Sequence, residues 1–352
     1  MRDNAKIKIG ISVGDINGIG IEVILKAFSD KRMLDLCTPI IYAHKKVLTF
    51  YIKQLNIEKF NFLVAKSIDD ISFKKVNLIQ CWEEEISIDP GNSNKEGGKY
   101  ALLSLQGACA ALQKKEIDLL VTAPINKDNI QSDDFRFTGH TEYLHSLFGQ
   151  KKTLMLLTSE ELKVALVTGH MSISEVANSI SKENILESIE SLVLTFNTDF
   201  SIKKPRIAVL GLNPHAGDNG LLGKEEIDFI IPAIEQAKQE GKLVFGPFPA
   251  DGFFGSQQYK KFDVVLAMYH DQGLSPFKTI SFNSGVNFTS GLSVIRTSPD
   301  HGTAYEIAGK NLANPNSFRK ALFTAIDVYR NRVQNKKLHD NKLQKSSVNK
   351  SQ

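Results

Sequence analysis

Three histidines of this 352-residue chain share one sequence setting. KVALVTGH ends in His170, RIAVLGLNPH in His215 and DVVLAMYH in His270. Each is an apolar run, read as a strand, that meets an imidazole within a few residues. Parallel strands present their carboxyl ends at one edge, and ligands bind in the crevice there. Neutral imidazole suits zinc, copper, iron, nickel and cobalt, and three protein ligands leave positions open for substrate. Taken singly, each histidine reads as a hydrogen-bonded loop residue. Their repetition, three of eight histidines in one topological place, points to a divalent metal ion. Asp271, next to His270, would be a further ligand or would orient that ring.

Other clusters supply polar groups. Gly14 to Gly20 (GDINGIG) follows a strand and opens a helix, which suits either anion binding by backbone N–H groups or a tight turn. Its spacing is not G-x-G-x-x-G, so the ordinary dinucleotide fingerprint is absent. In FTGHTE, Thr141 can cap a helix, and His140 and Thr141 are donors. Lys278, Asn287 and Arg296 make a third set. Arg296 lies in an apolar run and, if buried, needs an anionic partner: an acidic side chain, or a substrate carboxylate or phosphate. Asp300, His301, Gly302 and Thr303 form a glycine-containing turn before a short helix.

The elements that must position these groups alternate. Strands are expected at 7–13, 39–43, 76–80, 118–122, 153–158, 163–168, 206–210, 243–245 and 263–268. Helices are expected at 19–29, 97–114, 141–148, 174–180, 182–194, 224–240 and 317–332. The alternation argues for α/β layers around a mainly parallel sheet. Between 279 and 296 the pattern turns to short β-rich pieces, as in a hairpin or a crossover between domains. Hydrophobic residues make up 42% of the chain, enough for a substantial core. Five lysines against one aspartate in 334–352 account for the whole formal net charge of +4. That stretch reads as a disordered basic tail, and the near-neutral body excludes a nucleic-acid-binding face. Cys37, Cys81 and Cys109 are too scattered for a disulfide framework. The chain has no signal-peptide pattern and no membrane-spanning run, so a cytoplasmic protein is expected.

Together, FTGHTE, GLNPHAGDNG with GKEEID, AMYHDQGL, GVNFTSGLSVIRTSPDHGTA and EIAGK resemble the 4-hydroxythreonine-4-phosphate dehydrogenase family of pyridoxal phosphate biosynthesis. The resemblance runs from about Ile9 to Leu322. HGTA and IAGK also look like the nucleotide loop of isocitrate and isopropylmalate dehydrogenases. The resemblance implies two α/β/α domains of that broader fold with a central cleft. The first would hold 1–130 plus about 290–333, and the second about 131–289. It implies a homodimer whose active site is completed across the interface. His170, His215 and His270 would bind zinc, magnesium or cobalt. His140, Thr141, Lys278, Asn287 and Arg296 would contact substrate, and Gly302 and Thr303 would contact NAD or NADP. Asp251 and Lys278 are the candidates for general base. The implied reaction oxidises 4-phosphooxy-L-threonine, after which the β-keto acid loses carbon dioxide. Rival readings are a dehydrogenase of phosphothreonate, phosphoerythronate or an aromatic dihydrodiol, a phosphate acyltransferase, and a non-catalytic phosphometabolite-binding protein.

Overall fold

The computed structural model describes residues 6–57, 59–150 and 152–341. Twelve strands there form one sheet. They are β1 Ile7–Ser12, β2 Cys37–Ala43, β3 Phe62–Ala65, β4 Val76–Gln80, β5 Leu119–Thr122 and β6 Met155–Thr158, then β7 Lys163–Leu166, β8 Arg206–Leu210, β9 Leu243–Phe248, β10 Val264–Ala267, β11 Val286–Thr289 and β12 Arg296–Pro299. The order across the sheet is β3-β4-β2-β1-β5-β12-β11-β6-β7-β10-β8-β9. The first six run parallel, as do β7, β10, β8 and β9. Three antiparallel pairings, β12–β11, β11–β6 and β6–β7, join the halves. The two parallel halves therefore point in opposite directions.

Apolar side chains on both faces of the strands explain why helices cover both sides. In β2, Ile41 and Ala43 enter one core while Ile40 and Tyr42 enter another. In β10, Val264 and Leu266 enter the first core, whereas Val265 and Ala267 enter a third. One core thus serves both halves of the sheet on one face. On the other face the apolar packing is split in two, one cluster per half, and the split leaves room for a cleft.

Most expected elements form within a few residues of their expected bounds. The β-rich stretch becomes the antiparallel pair β11–β12. The short edge strand β3 and the helices Lys45–Gln54 and His270–Ser281 lacked a clear pattern. In the last, Gly273 and Pro276 weaken the helix signal. One expectation is corrected. Residues 334–340, read as disordered, continue the helix Asn316–Asp340. Asn335 Nδ2 ties this turn down by donating to the Asn197 and Thr198 carbonyls. The remainder of that tail, 342–352, lies outside the described residues. No helix among the described residues is long and apolar enough to cross a membrane.

Candidate active site

A cleft of about 260 Å³ opens against the divided face and gathers side chains from both halves of the sheet. Arg296, the first residue of β12, is 2% exposed. Its Nε and Nη2 donate to Thr122 Oγ1 at 3.1 and 2.7 Å, and Nη1 donates to Thr289 Oγ1 at 3.1 Å. Among the described residues no carboxylate forms an ion pair with it. Burial pulls its pKa down to about 10, which still leaves it charged at neutral pH. A buried cation held only by hydroxyls calls for an anion.

Four more polar atoms in the same cleft are buried without a hydrogen-bond partner: His140 Nε2, Glu142 Oε2, Asn287 Oδ1 and His301 Nε2. Buried polar groups are ordinarily paired, so this concentration marks a place shaped for a polar ligand. Burial, then the charges of Arg296 and Lys127, hold His140 well below its ordinary pKa, so its ring is neutral. His140 and Thr141 begin the nine-residue helix His140–Phe148, whose amino end opens on the cleft. That end favours an anion.

The strands β7, β10 and β8 are adjacent and parallel, so their carboxyl ends share an edge. His170 follows β7 and His270 opens the helix after β10. Both line the cleft, with ring centres 5.5 Å apart. Two imidazoles on one tetrahedral zinc would have centres ~5 Å apart, so this pair fits a shared ion. His270 Nδ1 lies 2.6 Å from Asp271 Oδ1, which orients the ring and leaves Nε2 for the cleft. Beside His170, Glu142 is held down at about 2 by the neighbouring ring, against the opposing push of burial.

His215 lies elsewhere. It faces a second cavity of about 520 Å³, shared with Asp251 and Gln272. The helix His270–Ser281 divides the two spaces. His270, Leu274 and Lys278, four residues apart, face the cleft, whereas Gln272 and Pro276 face the second cavity. The cause of His215's placement is local. From His215 to Asn219 five successive residues have positive φ, so the chain leaves β8 in a left-handed turn. Glu226, 1% exposed, braces that turn by accepting the Leu212 and Asn213 N–H groups at 2.7 and 2.8 Å. Among the described residues, no three His, Cys, Asp or Glu side chains form a group able to hold a metal.

The turn after β12 closes one wall. Gly302 lines the cleft, and a Cβ there would meet nothing within 4 Å. Thr303 lends its carbonyl to the Ile19 N–H at 2.9 Å. That bond and the complete burial of residues 11–20 decide between the two readings of the first glycine loop. It is a packed turn. Gly14 has φ +66°, and a Cβ would stand 2.1 Å from the Pro124 carbonyl oxygen. Asp15, its second residue, accepts from Asn129 Nδ2 and from the Tyr305 hydroxyl, binding three loops together.

Lys127 was not singled out from sequence, and Asp300 and Glu142 were read there only as members of a turn and a polar cluster, without a role of their own. Lys127 follows β5 as the histidines follow their strands, and that parallel was the available signal. Lys278 Nζ lies 4.0 Å from Asp300 Oδ1. Burial pushes the Asp300 carboxyl up to about 6 from its ordinary 3.8, against the pull of Lys278 and His270. The folded chain therefore holds this proton more tightly than the unfolded one, and its contribution to stability falls as pH rises through that window. Asp300→Asn should remove the decline. Urea midpoints measured across the window check this, and an unchanged slope in the variant would contradict it.

A family model described as pyridoxal phosphate biosynthetic protein PdxA matches residues 35–325. A 4-hydroxythreonine-4-phosphate dehydrogenase of Bacteroides thetaiotaomicron is 49% identical over 346 residues, covering 98% of this chain and 94% of the relative. The solved 4-hydroxythreonine-4-phosphate dehydrogenase of Klebsiella pneumoniae superposes with a TM-score of 0.78 at 32% identity, over 92% of this chain and 98% of that one. An isocitrate dehydrogenase of Methylococcus capsulatus shares the fold alone, with a TM-score of 0.50 at 13% identity over 95% of this chain and 89% of that one.

Proposed function

The chain belongs to the PdxA family of pyridoxal phosphate biosynthetic proteins, and from that premise we propose that it is the oxidoreductase that acts on 4-phosphooxy-L-threonine. The reaction moves a hydride from the secondary alcohol to NAD+ or NADP+ and releases the alcohol proton. It yields 2-amino-3-oxo-4-phosphooxybutanoate. That β-keto acid loses carbon dioxide to give 3-amino-2-oxopropyl phosphate. The observation that carries the reading is Arg296, a buried cation without a carboxylate, set among unpartnered polar atoms. A substrate with both a phosphate and a carboxylate supplies the missing anions.

The roles follow from position. Arg296 and Lys278 hold anionic groups, Asn287 orients the substrate through its unpaired oxygen, and neutral His140 and Thr141 contact it at the helix end. Lys278, beside Asp300, also stands as a candidate general base. Gly302 in the cleft wall, with Thr303 next to it in sequence, would contact the nicotinamide cofactor, which would accept the hydride. His170 and His270 would hold a divalent ion, with His215 as third ligand. An all-imidazole set favours zinc or cobalt over magnesium, which prefers oxygen. Such an ion acts as a Lewis acid toward the alcohol oxygen.

The third ligand leads to a dimer. His215 and Asp251 face away from their own cleft, and Ile173, Leu221 and Leu222, close in sequence to His170 and His215, are 72%, 79% and 44% exposed. A second copy that covers these apolar residues would bring its His215 and Asp251 to the cleft, with Asp251 the second candidate base. The cleft would then lie between the domains 1–130 plus about 290–333 and about 131–289. A cytoplasmic setting suits three free cysteines.

The assay is nicotinamide reduction, followed by absorbance, with 4-phosphooxy-L-threonine and with phosphothreonate for comparison. Turnover should favour the former, vanish with a chelator and return with zinc or cobalt. Absence of turnover with every metal would sink the substrate assignment. Turnover indifferent to the chelator would sink the metal.

A further inference from the structure

Among the described residues, Lys127 is the one cation of the cleft that meets a proposed metal ligand directly. Its Nζ lies 3.2 Å from His170 Nε2. An ammonium can only donate, so Nε2 must accept through its lone pair, and the ring proton must sit on Nδ1. Nδ1 lies 3.9 Å from Glu142 Oε1, on the side where a carboxylate favours that proton. The lone pair that Lys127 occupies is thus the one a metal would use.

The backbone that carries Lys127 is well anchored. Asn126 Oδ1 accepts the Asp128 and Asn129 N–H groups, and Gln131 Nε2 donates to the Lys127 carbonyl at 2.9 Å. Asn129 is tied in turn to buried Asp15. The side chain itself is exposed and, among the described residues, forms no ion pair with a carboxylate. The loop is fixed and the ammonium is free to turn.

We propose that Lys127 stands in for the metal at His170 Nε2 in the substrate-free protein, and that a divalent ion displaces it toward the anionic group of the substrate. The inference rests on the metal assignment under the proposed function. Two cations cannot share one lone pair, so entry of the ion expels the ammonium. The same cleft offers it an anion held also by Arg296. Lys127 is then a competitor of the metal for His170 Nε2 and, once the metal is bound, a substrate-binding residue.

The experiment titrates cobalt into the substrate-free protein and reads its visible absorption, for the parent, Lys127→Met, Lys127→Arg and His170→Ala. Lys127→Met should bind cobalt more tightly, by roughly tenfold, since a like charge has left the site. Lys127→Arg, which keeps the charge, should stay near the parent. At saturating metal, Lys127→Met should raise KM for the phosphorylated substrate by about tenfold or more, with a smaller change in kcat. Equal or weaker cobalt binding by Lys127→Met would overturn the proposal, as would an unchanged KM. His170→Ala separates the two levels. If it binds cobalt as well as the parent does, the ligand set itself fails. If it loses cobalt while Lys127→Met binds no better, only the stand-in fails.

Discussion

Arg296→Met should abolish turnover while leaving the fold at least as stable as the parent. The two halves of this expectation come from opposite sides of one desolvation cost. In the cleft the guanidinium is buried among hydroxyls, with three hydrogen bonds and, among the described residues, no counter-ion. Burying such a cation costs several kcal/mol, which its three bonds to hydroxyls, each worth about 1.5–3 kcal/mol because the donor is charged, do no more than offset. Methionine fills a similar volume and adapts to irregular space, so its effect on unfolding should lie between neutral and a gain of about 2 kcal/mol. Substrate binding runs the other way. An anion that pairs with a desolvated guanidinium gains strong charge-assisted bonds, and their loss should lower kcat/KM by about a thousandfold or more. Lysine should not rescue, because a point charge cannot span Thr122 and Thr289 as the planar fork does. Thermal unfolding together with steady-state kinetics checks both halves. A variant that unfolds several degrees early with normal kcat/KM would make Arg296 a structural residue and remove the anion site.

Arg296 also shows where sequence reasoning stops. Its place in an apolar run announced a buried charge, but an acidic side chain and a substrate anion were equally open as partners. The fold puts Thr122 and Thr289 around it and, among the described residues, no carboxylate within ion-pair distance, which is what the proposed substrate anion rests on. His170 and His270 were legible because strand and topology suffice: β7 and β10 are neighbours, and short exits carry both rings to one cleft. His215 obeyed the same pattern up to the end of β8. Past that strand the path of the chain depends on Glu226, whose carboxylate reaches back to Leu212 and Asn213 and sustains a left-handed turn through His215 and Ala216. Such dihedrals are uncommon for non-glycine residues, and no local signal announces a brace supplied from the next helix. Lys127 and Asp300 were missed for a related reason. Each lies in a loop after a strand, and its role depends on the neighbour that another strand delivers.

The displacement of His215 makes the proposed dimer testable at full amplitude. Alone, His170→Ala and His215→Ala should each lose metal and at least about a thousandfold of kcat, since both remove a ligand from every site. The outcome of combining them depends on who owns the ligands. If His215 is supplied by the second copy, a mixed dimer of the two variants places both defects in one of its sites and leaves the other intact. Random pairing of equal amounts makes half the dimers mixed, so activity should return to about a quarter of the parent's. Purified mixed dimers, isolated with two tags, should reach about half. If instead the chain closes on itself and brings its own His215 across the helix His270–Ser281, every site in a mixed dimer carries one defect, and mixing restores nothing. Both histidines are exposed in the single chain, so neither substitution threatens folding. Cobalt bound per dimer gives the same answer without turnover: one ion in the mixed dimer if the site is shared, none if it is not.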